Sequence, residues 1–380
     1  MFFELSEEQR IIKDSVRKYA LERIAPVQEE DERDGIFRRE MISEMGKLGF
    51  FGGVIPEEYG GTHIGFLSSI LIVEEIAKVS ASYASYNVSQ TVGPGLAILK
   101  YGAQSQKDRY IPGLVSGDLI GCFASTEPDT GSDVASMKTT AVQNEKGYVL
   151  NGTKTWITNA PVADIGLIFA YTDMEKKHKG ISCFLVEMKN TPGISTSHFQ
   201  KLGLSCTVTG EINFQDVQVP SEALLGNLGE GFKILMVLLS NTRLFAAARA
   251  LGLGGACLEA SIKYSKGRKQ FGEPISKFQM IQDQIARMYM EHEASKLLVY
   301  QAALNKDHGR NDPIEVSVAK YVACEAAVKA ADAALNIYGS YGFSMDYPIQ
   351  RYVRDSRAFQ ITEGTSNIQK MIVARHLLNV

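Results

Sequence analysis

The chain has 380 residues, 45% of them hydrophobic and 22% charged, with a formal net charge of −3. This is the composition of a globular protein with room for two or three domains, and the charge gives no basis for nucleic acid or an anionic membrane as partner. Cys122, Cys183, Cys206, Cys257 and Cys324 are widely spaced without a Cys-x-x-Cys, and the histidines are scattered, so neither a metal site nor a disulfide framework is expected.

Met1-Phe2-Phe3 leads into Ser6-Glu7-Glu8-Gln9, which reads as a capping box opening a helix, with no signal or transit segment. Ile11, Ile12, Val16, Tyr19, Ala20 and Ile24 give Ser6 to Ile24 a helical period, and Pro26 follows. The acidic run Glu29 to Asp34 is expected to be a solvated face. A Gly/Pro-rich connection, Gly49 to Gly65, precedes another helical stretch from Phe66. From about 119 to 225 the period becomes two, and Asp164 to Asp173, Gly180 to Glu187 and Thr207 to Val219 read as strands. From Gly231 helical spacing returns in long segments. Gly252-Leu253-Gly254-Gly255 suits a close helix contact and Gly226 to Gly231 a turn; neither follows a βαβ pattern. Apolar runs are interrupted before the roughly 18 residues of a membrane span. The fold class is therefore α+β: a helical domain over 1–118, a β domain over 119–228 and a helical bundle over 229–380.

Several clusters carry chemistry. Trp156 and Thr158 lie two apart near a strand end, where an indole can wall a flat ligand and a hydroxyl can meet its edge. Phe123-Ala124-Ser125-Thr126-Glu127-Pro128-Asp129-Thr130-Gly131-Ser132-Asp133 runs from a strand into a turn rich in hydroxyls and backbone donors. Arg268-Lys269-Gln270-Phe271-Gly272 ends a long helix and suits a pyrophosphate and an aromatic ring. Tyr338-Gly339-Ser340-Tyr341-Gly342-Phe343 breaks two helices. Glu363-Gly364-Thr365-Ser366-Asn367 places a carboxylate on the loop entering a helix, with Ser366 and Asn367 as good N-cap types. Each has a plain structural alternative: a core tryptophan, a solvated turn, dipole compensation, a first-turn acid.

Together and in this order, these pieces resemble the acyl-CoA dehydrogenase family over essentially the whole chain. The most specific are Thr126-Glu127-Pro128 with Gly131-Ser132-Asp133, Lys154 to Asn159, Arg268 to Gly272, Tyr347-Pro348 with Arg354-Asp355, and Glu363-Gly364-Thr365. The resemblance implies a barrel-like middle domain, a C-terminal four-helix bundle, non-covalent FAD and oxidation of acyl-CoA thioesters to enoyl-CoA. By similarity Trp156 packs on the flavin, Thr158 meets its N5, Thr126 and the backbone of Ser125 lie at its pyrimidine edge, Phe123 is a further cofactor contact, and Ser132 lies near the pyrophosphate and the substrate. Arg268, Gln270, Phe271, Asn336 and Gly339 resemble residues given to the FAD of a neighbouring subunit, with Thr365 and Asn367 as further contacts; the family is usually a homotetramer.

Glu363 matches the catalytic base, and closing the site over substrate would strip its water and strengthen it. Its backbone N–H would stabilise the thioester oxygen. Some relatives carry their base on the long helix just before an arginine like Arg243; here that residue is Thr242, which cannot serve. Arg243 matches a residue meeting the CoA portion. Gln90, Thr91, Thr362 and Gly364 are candidate substrate contacts, with Gly93 at the pocket and Phe245 limiting its depth. Many members have Tyr where this chain has Thr362, so a branched or cyclic acyl group is admitted. Ser80 to Leu99 contains no charged residue, and Ala84 stands where glutaryl-CoA dehydrogenases carry an arginine; an uncharged acyl group is therefore expected. The expected acceptor is an electron-transfer flavoprotein, and the expected compartment the cytoplasm, with the mature mitochondrial matrix as the other. A carrier-protein-bound or alicyclic thioester, an enoyl-CoA reductase, an oxidase and a non-enzymatic relative are the alternatives.

Overall fold

The computed structural model describes residues 4–189 and 191–379, so Met1-Phe2-Phe3 lies outside the described residues. Helix Glu7–Tyr19 opens on the expected capping box: Gln9 N donates to Ser6 Oγ at 3.2 Å and Ser6 N to Gln9 Oε1 at 3.0 Å. The chain stays helical past Ile24, through a π-turn at Ala20–Ile24 into helix Ala25–Asp34. Pro26 falls in the first turn of that segment, where the missing N–H is least costly.

The acidic run is not a solvated face. Asp31 and Glu32 are buried. Asp31 accepts from Arg38 Nε at 2.7 Å and from the Tyr83 hydroxyl at 2.6 Å. Glu32 accepts from Ser205 N at 2.7 Å and also holds Ser82. A helix that turns one side to the core cannot keep six consecutive residues in water, so part of the run is turned inward.

The almost wholly buried helix Gly65–Val79 packs against the long helix Gly231–Gly267, where a Cβ on Gly252 would collide with the Glu74 carbonyl. After it come a 3₁₀ turn, Tyr83–Ser85, a π-helical segment, Val88–Gly95, and helix Leu96–Tyr101. Pro94 sits inside the π segment, where it cannot continue the regular ladder. This wall lies between the first strand and the long helix.

The middle domain is an eight-stranded sheet of β1 Gly121–Ala124, β2 Thr140–Asn144, β3 Gly147–Thr158, β4 Ile165–Tyr171, β5 Ile181–Glu187, β6 Ile194–Thr196, β7 Thr209–Val219 and β8 Leu224–Leu225. The order is β6-β7-β3-β2-β4-β5-β8, with β1 parallel to β4. β4 is buried along its whole length and β5 along all but its last residue, which explains their unbroken apolar runs.

The C-terminal bundle packs Gln279–Asp307 and Pro313–Tyr338 on Gly231–Gly267, closed by Ile349–Phe359 and Ser366–Leu378. Contrary to the sequence expectation, the 37-residue helix is long and apolar enough to cross a membrane by length and composition. Its most apolar window is 78% buried inside the fold, however, as befits a core helix.

Candidate active site

Glu363 sits on the loop that enters Ser366–Leu378. Thr365, rather than Ser366 or Asn367, caps that helix, its hydroxyl accepting from Ile368 N at 3.3 Å; Ser366 Oγ donates to Glu325 at 2.6 Å. Glu363 and Gly364 take φ of +57° and +85° in succession. Glycine tolerates this, whereas for glutamate it costs about 1–2 kcal/mol.

The surroundings hold the loop in place. Arg243 Nε donates to the Glu363 carbonyl at 3.2 Å and Lys320 Nζ to the Gly364 carbonyl at 2.8 Å. Gln369 Nε2 reaches both carbonyls, at 3.3 and 2.8 Å. All three side chains are buried, and burial pushes the pKa values of Arg243 and Lys320 down while Glu363 raises them. The half-buried Glu363 carboxylate accepts from the Thr242 hydroxyl at 2.5 Å. The position that could have carried a rival base therefore touches Glu363 itself and contributes a donor. Arg243, expected at the CoA portion, has its Nε on the carbonyl of the Glu363–Gly364 loop. The Glu363 N–H has no backbone acceptor among the described residues.

On the β domain, the pairing of β3 with β7 shifts register between Lys154 and Ile157. The bulge gives Trp156 a φ of +58° and turns the indole outward at 61% exposure, against the Phe199 ring at 4.8 Å. Trp156 and Thr158 lie on the more open side of the strand, while Ile157 points inward. Beneath them Lys154 Nζ donates to Glu127 Oε1 at 2.8 Å, both side chains buried. Glu127 also accepts from Lys138 N at 2.5 Å and Thr139 N at 2.9 Å, and Thr155 N donates to the Thr126 carbonyl at 3.0 Å. This buried pair fixes the Ser125–Thr130 turn to the Trp156 strand. Desolvation depresses the Lys154 pKa to about 8 despite the carboxylate. The hydroxyls of Ser125, Thr126, Ser132 and Thr158 have no partner among the described residues. Phe123 is half-buried against Gly93 of the wall.

Arg268 to Phe271 stand apart from this face. Arg268 follows the last residue of the long helix, 26 positions beyond Thr242, or about 39 Å of helix axis. Its guanidinium lies 5.4 Å from the Tyr341 ring centroid. Gln270 is exposed, and Phe271 is 96% exposed at a φ of +51°. Asn336 and Gly339 are exposed at the end of Pro313–Tyr338. One chain thus carries two clusters, the second at the far end of the helix from Glu363.

The expected acyl-pocket residues fare differently. Gln90 is a correction: its amide donates to the Leu114 and Leu119 carbonyls at 3.1 and 2.6 Å and accepts from Gly121 N at 2.9 Å, so it ties the wall to the sheet. Thr91 is buried with its hydroxyl on its own helix, at Asn87 O, 3.4 Å. Phe245 is fully buried, whereas Thr362 and Asn367 are exposed. Sequence reasoning did not single out Lys320, Gln369 or Arg249. Arg249 had a signal, as the lone charge between Leu244 and Leu258.

An outward indole, a turn of unpartnered hydroxyls and a buried ion pair stiffening both make a receptor for a flat, heteroatom-edged ring; these residues fit FAD. Together with a carboxylate on a clamped loop, they are the parts of a flavin-dependent oxidoreductase. Models of the N-terminal, middle and C-terminal domains of acyl-CoA dehydrogenase match residues 6–118, 122–217 and 229–378. A glutaryl-CoA dehydrogenase of Desulfococcus multivorans is 44% identical over 100% of this chain and 99% of its own length. The butyryl-CoA dehydrogenase of Megasphaera elsdenii superposes with a TM-score of 0.97 at 39% identity, covering 100% of both chains. A chain in a structure described as the electron transferring flavoprotein of Acidaminococcus fermentans superposes with a TM-score of 0.98 at 40% identity, again over 100% of both. The protein belongs to the acyl-CoA dehydrogenase family, enzymes that use FAD to oxidise CH–CH bonds.

Proposed function

We propose that this enzyme dehydrogenates an acyl-CoA thioester between its α and β carbons, with Glu363 as base and an electron-transfer flavoprotein as acceptor. The observation that carries this is the half-buried Glu363 carboxylate, aimed by the Thr242 hydroxyl on a loop whose carbonyls are held by Arg243, Lys320 and Gln369. FAD, when bound, supplies the chemistry that accepts the β-hydride. The protein's own part is to hold the thioester so that its α-carbon meets Glu363, and to take the α-proton onto the carboxylate. The Glu363 N–H, without a backbone acceptor among the described residues, would donate to the thioester oxygen as charge builds there. Substrate displaces water from the carboxylate and makes it a stronger base. The strained φ of Glu363 and the three clamping side chains indicate that its geometry is set before substrate arrives.

The electron acceptor is supported by the likeness to a chain in an electron-transferring flavoprotein structure. The two separated clusters support FAD shared between copies of the chain, hence an oligomer, with a tetramer as the expected form and the cytoplasm as its place; sedimentation of the FAD-loaded protein as a monomer would remove that part. Trp156, Thr126, Thr158 and Ser132 would hold the flavin from one copy and Arg268, Gln270 and Phe271 from another. The similar proteins are named for different acyl groups, glutaryl and butyryl among them, so the acyl group is decided by this chain's own pocket. The direct test is anaerobic mixing with a panel of acyl-CoA thioesters, neutral and dicarboxylic. Active substrates are expected to bleach the flavin of the wild type, and Glu363→Gln to keep FAD and ligand binding while bleaching at least about 10³-fold more slowly. Bleaching by the variant at the wild-type rate would place the base elsewhere.

A further inference from the structure

Arg249, six residues beyond Arg243 on the long helix, is 5% exposed. Its Nη1 donates to Ser85 Oγ at 2.7 Å, and the guanidinium lies 5.5 Å from the Phe359 ring centroid. Nε is buried without a partner. No carboxylate among the described residues lies within ion-pair distance of the group. A buried cation left in this state is strongly unfavourable, and one hydrogen bond and one aromatic face do not offset it. The charge that Arg249 feels most is that of Glu363, which Arg243 and Lys320 also face. Three cations around one carboxylate leave this region with an excess of positive charge.

The position of Arg249 says what that charge faces. Thr242, which holds the Glu363 carboxylate, and Arg249 are seven residues apart, two turns along one face and about 10 Å along the axis. Side chains lean toward the N-terminus of their helix, which carries the guanidinium back toward Glu363. Ser85 belongs to the wall that follows Gly65–Val79, and Phe359 ends the helix that delivers the base loop. Arg249 therefore stands about two helical turns along one face from the residue that holds the Glu363 carboxylate, against Ser85 of one element and Phe359 of another.

We propose that Arg249 receives the free carboxylate of a dicarboxylic acyl-CoA thioester, whose second carboxylate lies a few carbons beyond the α-carbon. This rests on the dehydrogenation reading above and narrows it. Ser85 holds Nη1, and the unpartnered Nε belongs to the Nε–Nη2 edge, which can pair a carboxylate through two parallel hydrogen bonds. A neutral acyl chain of equal length leaves Nε dry and unpaired, and that penalty discriminates against it. The expectation of an uncharged acyl group rested on the absence of charge from Ser80 to Leu99; the fold brings a cation to that wall from another helix.

The test compares glutaryl-CoA with pentanoyl-CoA, which has the same number of acyl carbons, by anaerobic flavin bleaching of the FAD-loaded wild type, Arg249→Gln and Arg249→Lys. The wild type is expected to favour glutaryl-CoA at least about tenfold in kcat/KM. Arg249→Gln, which can keep the Ser85 contact, should lose glutaryl-CoA turnover about 100-fold, mainly through KM, and invert the preference; Arg249→Lys should recover part of it. If Arg249→Gln fails to hold FAD, the wild-type ranking decides alone. A wild type that bleaches with pentanoyl-CoA and other neutral thioesters but poorly with glutaryl-, succinyl- and adipyl-CoA overturns the assignment while leaving the dehydrogenase reading intact. A wild type that bleaches with none of the panel overturns the dehydrogenase reading itself.

Discussion

Replacing Glu127 by Gln removes the carboxylate that faces the buried Lys154 ammonium. Burial already depresses the Lys154 pKa from 10.5 to about 8 with Glu127 in place. Without it, nothing offsets the desolvation, so the Lys154 pKa falls further and the neutral form is favoured in the fold. The excess cost to the variant is then the free energy that the wild-type fold gains by protonating Lys154, 2.303RT log(1 + 10^(8 − pH)). This is about 3 kcal/mol at pH 6, about 1 kcal/mol at pH 7 and close to zero at pH 9. The sign follows from a folded pKa below the unfolded one: the wild-type fold takes up this proton only below about pH 8, so the gap opens as pH falls through that value. The amide also cannot reproduce both bonds from Lys138 N and Thr139 N, which adds about 1–3 kcal/mol at every pH. Unfolding by denaturant at pH 6, 7 and 9, with the FAD dissociation constant measured alongside, reads both parts. A gap between variant and wild type that does not change from pH 6 to pH 9 would refute the reasoning. So would unaltered FAD affinity, since the pair is argued to fix the Thr126 turn against the Trp156 strand.

Thr242→Val deletes the donor on the Glu363 carboxylate. FAD content should be unchanged and the rate of flavin bleaching should fall about 10- to 100-fold; an unchanged rate would show that the hydroxyl does not orient the base. Asp355 is fully buried and accepts from Leu204 N at 2.7 Å, and burial together with Glu32 pushes its pKa up from 3.8 to about 7. The fold therefore holds a proton here that the unfolded chain has released, and this site's contribution to stability is lost as pH rises through about 7. Asp355→Asn mimics the protonated state and should stabilise by about 3 kcal/mol more at pH 8 than at pH 5. Melting temperatures of variant and wild type that differ equally at the two pH values would contradict this.

The three-part organisation was legible because each part writes its period into the chain. Strands β4, β5 and β7 fall inside the segments expected from alternation and apolar runs, and the capping box at Ser6 forms as read. The acidic run at Glu29 to Asp34 was misjudged because charge density is a local property. The partners that bury Asp31 and Glu32, namely Arg38, Tyr83, Ser82 and Ser205, come partly from other elements. Gln90 was misplaced for the same reason: a glutamine in an uncharged wall reads as a ligand contact until its amide is seen on Leu114, Leu119 and Gly121.

By itself the sequence determined the class of chemistry. Glu363 before a glycine, Thr242 where a base could have stood, and the Trp156 and Thr126 segments are choices of residue type, and residue type decides what can accept a proton or wall a flat ring. Tertiary structure alone decided the electrostatics around them. It set Thr242 on Glu363, buried Lys154 against Glu127, gathered Arg243 and Lys320 on the Glu363–Gly364 loop, and carried Arg249 to a wall that has no charge of its own. Interactions between charges depend on separation and on exclusion of water, and residues 27 to 164 positions apart acquire both only when the helices and the sheet pack.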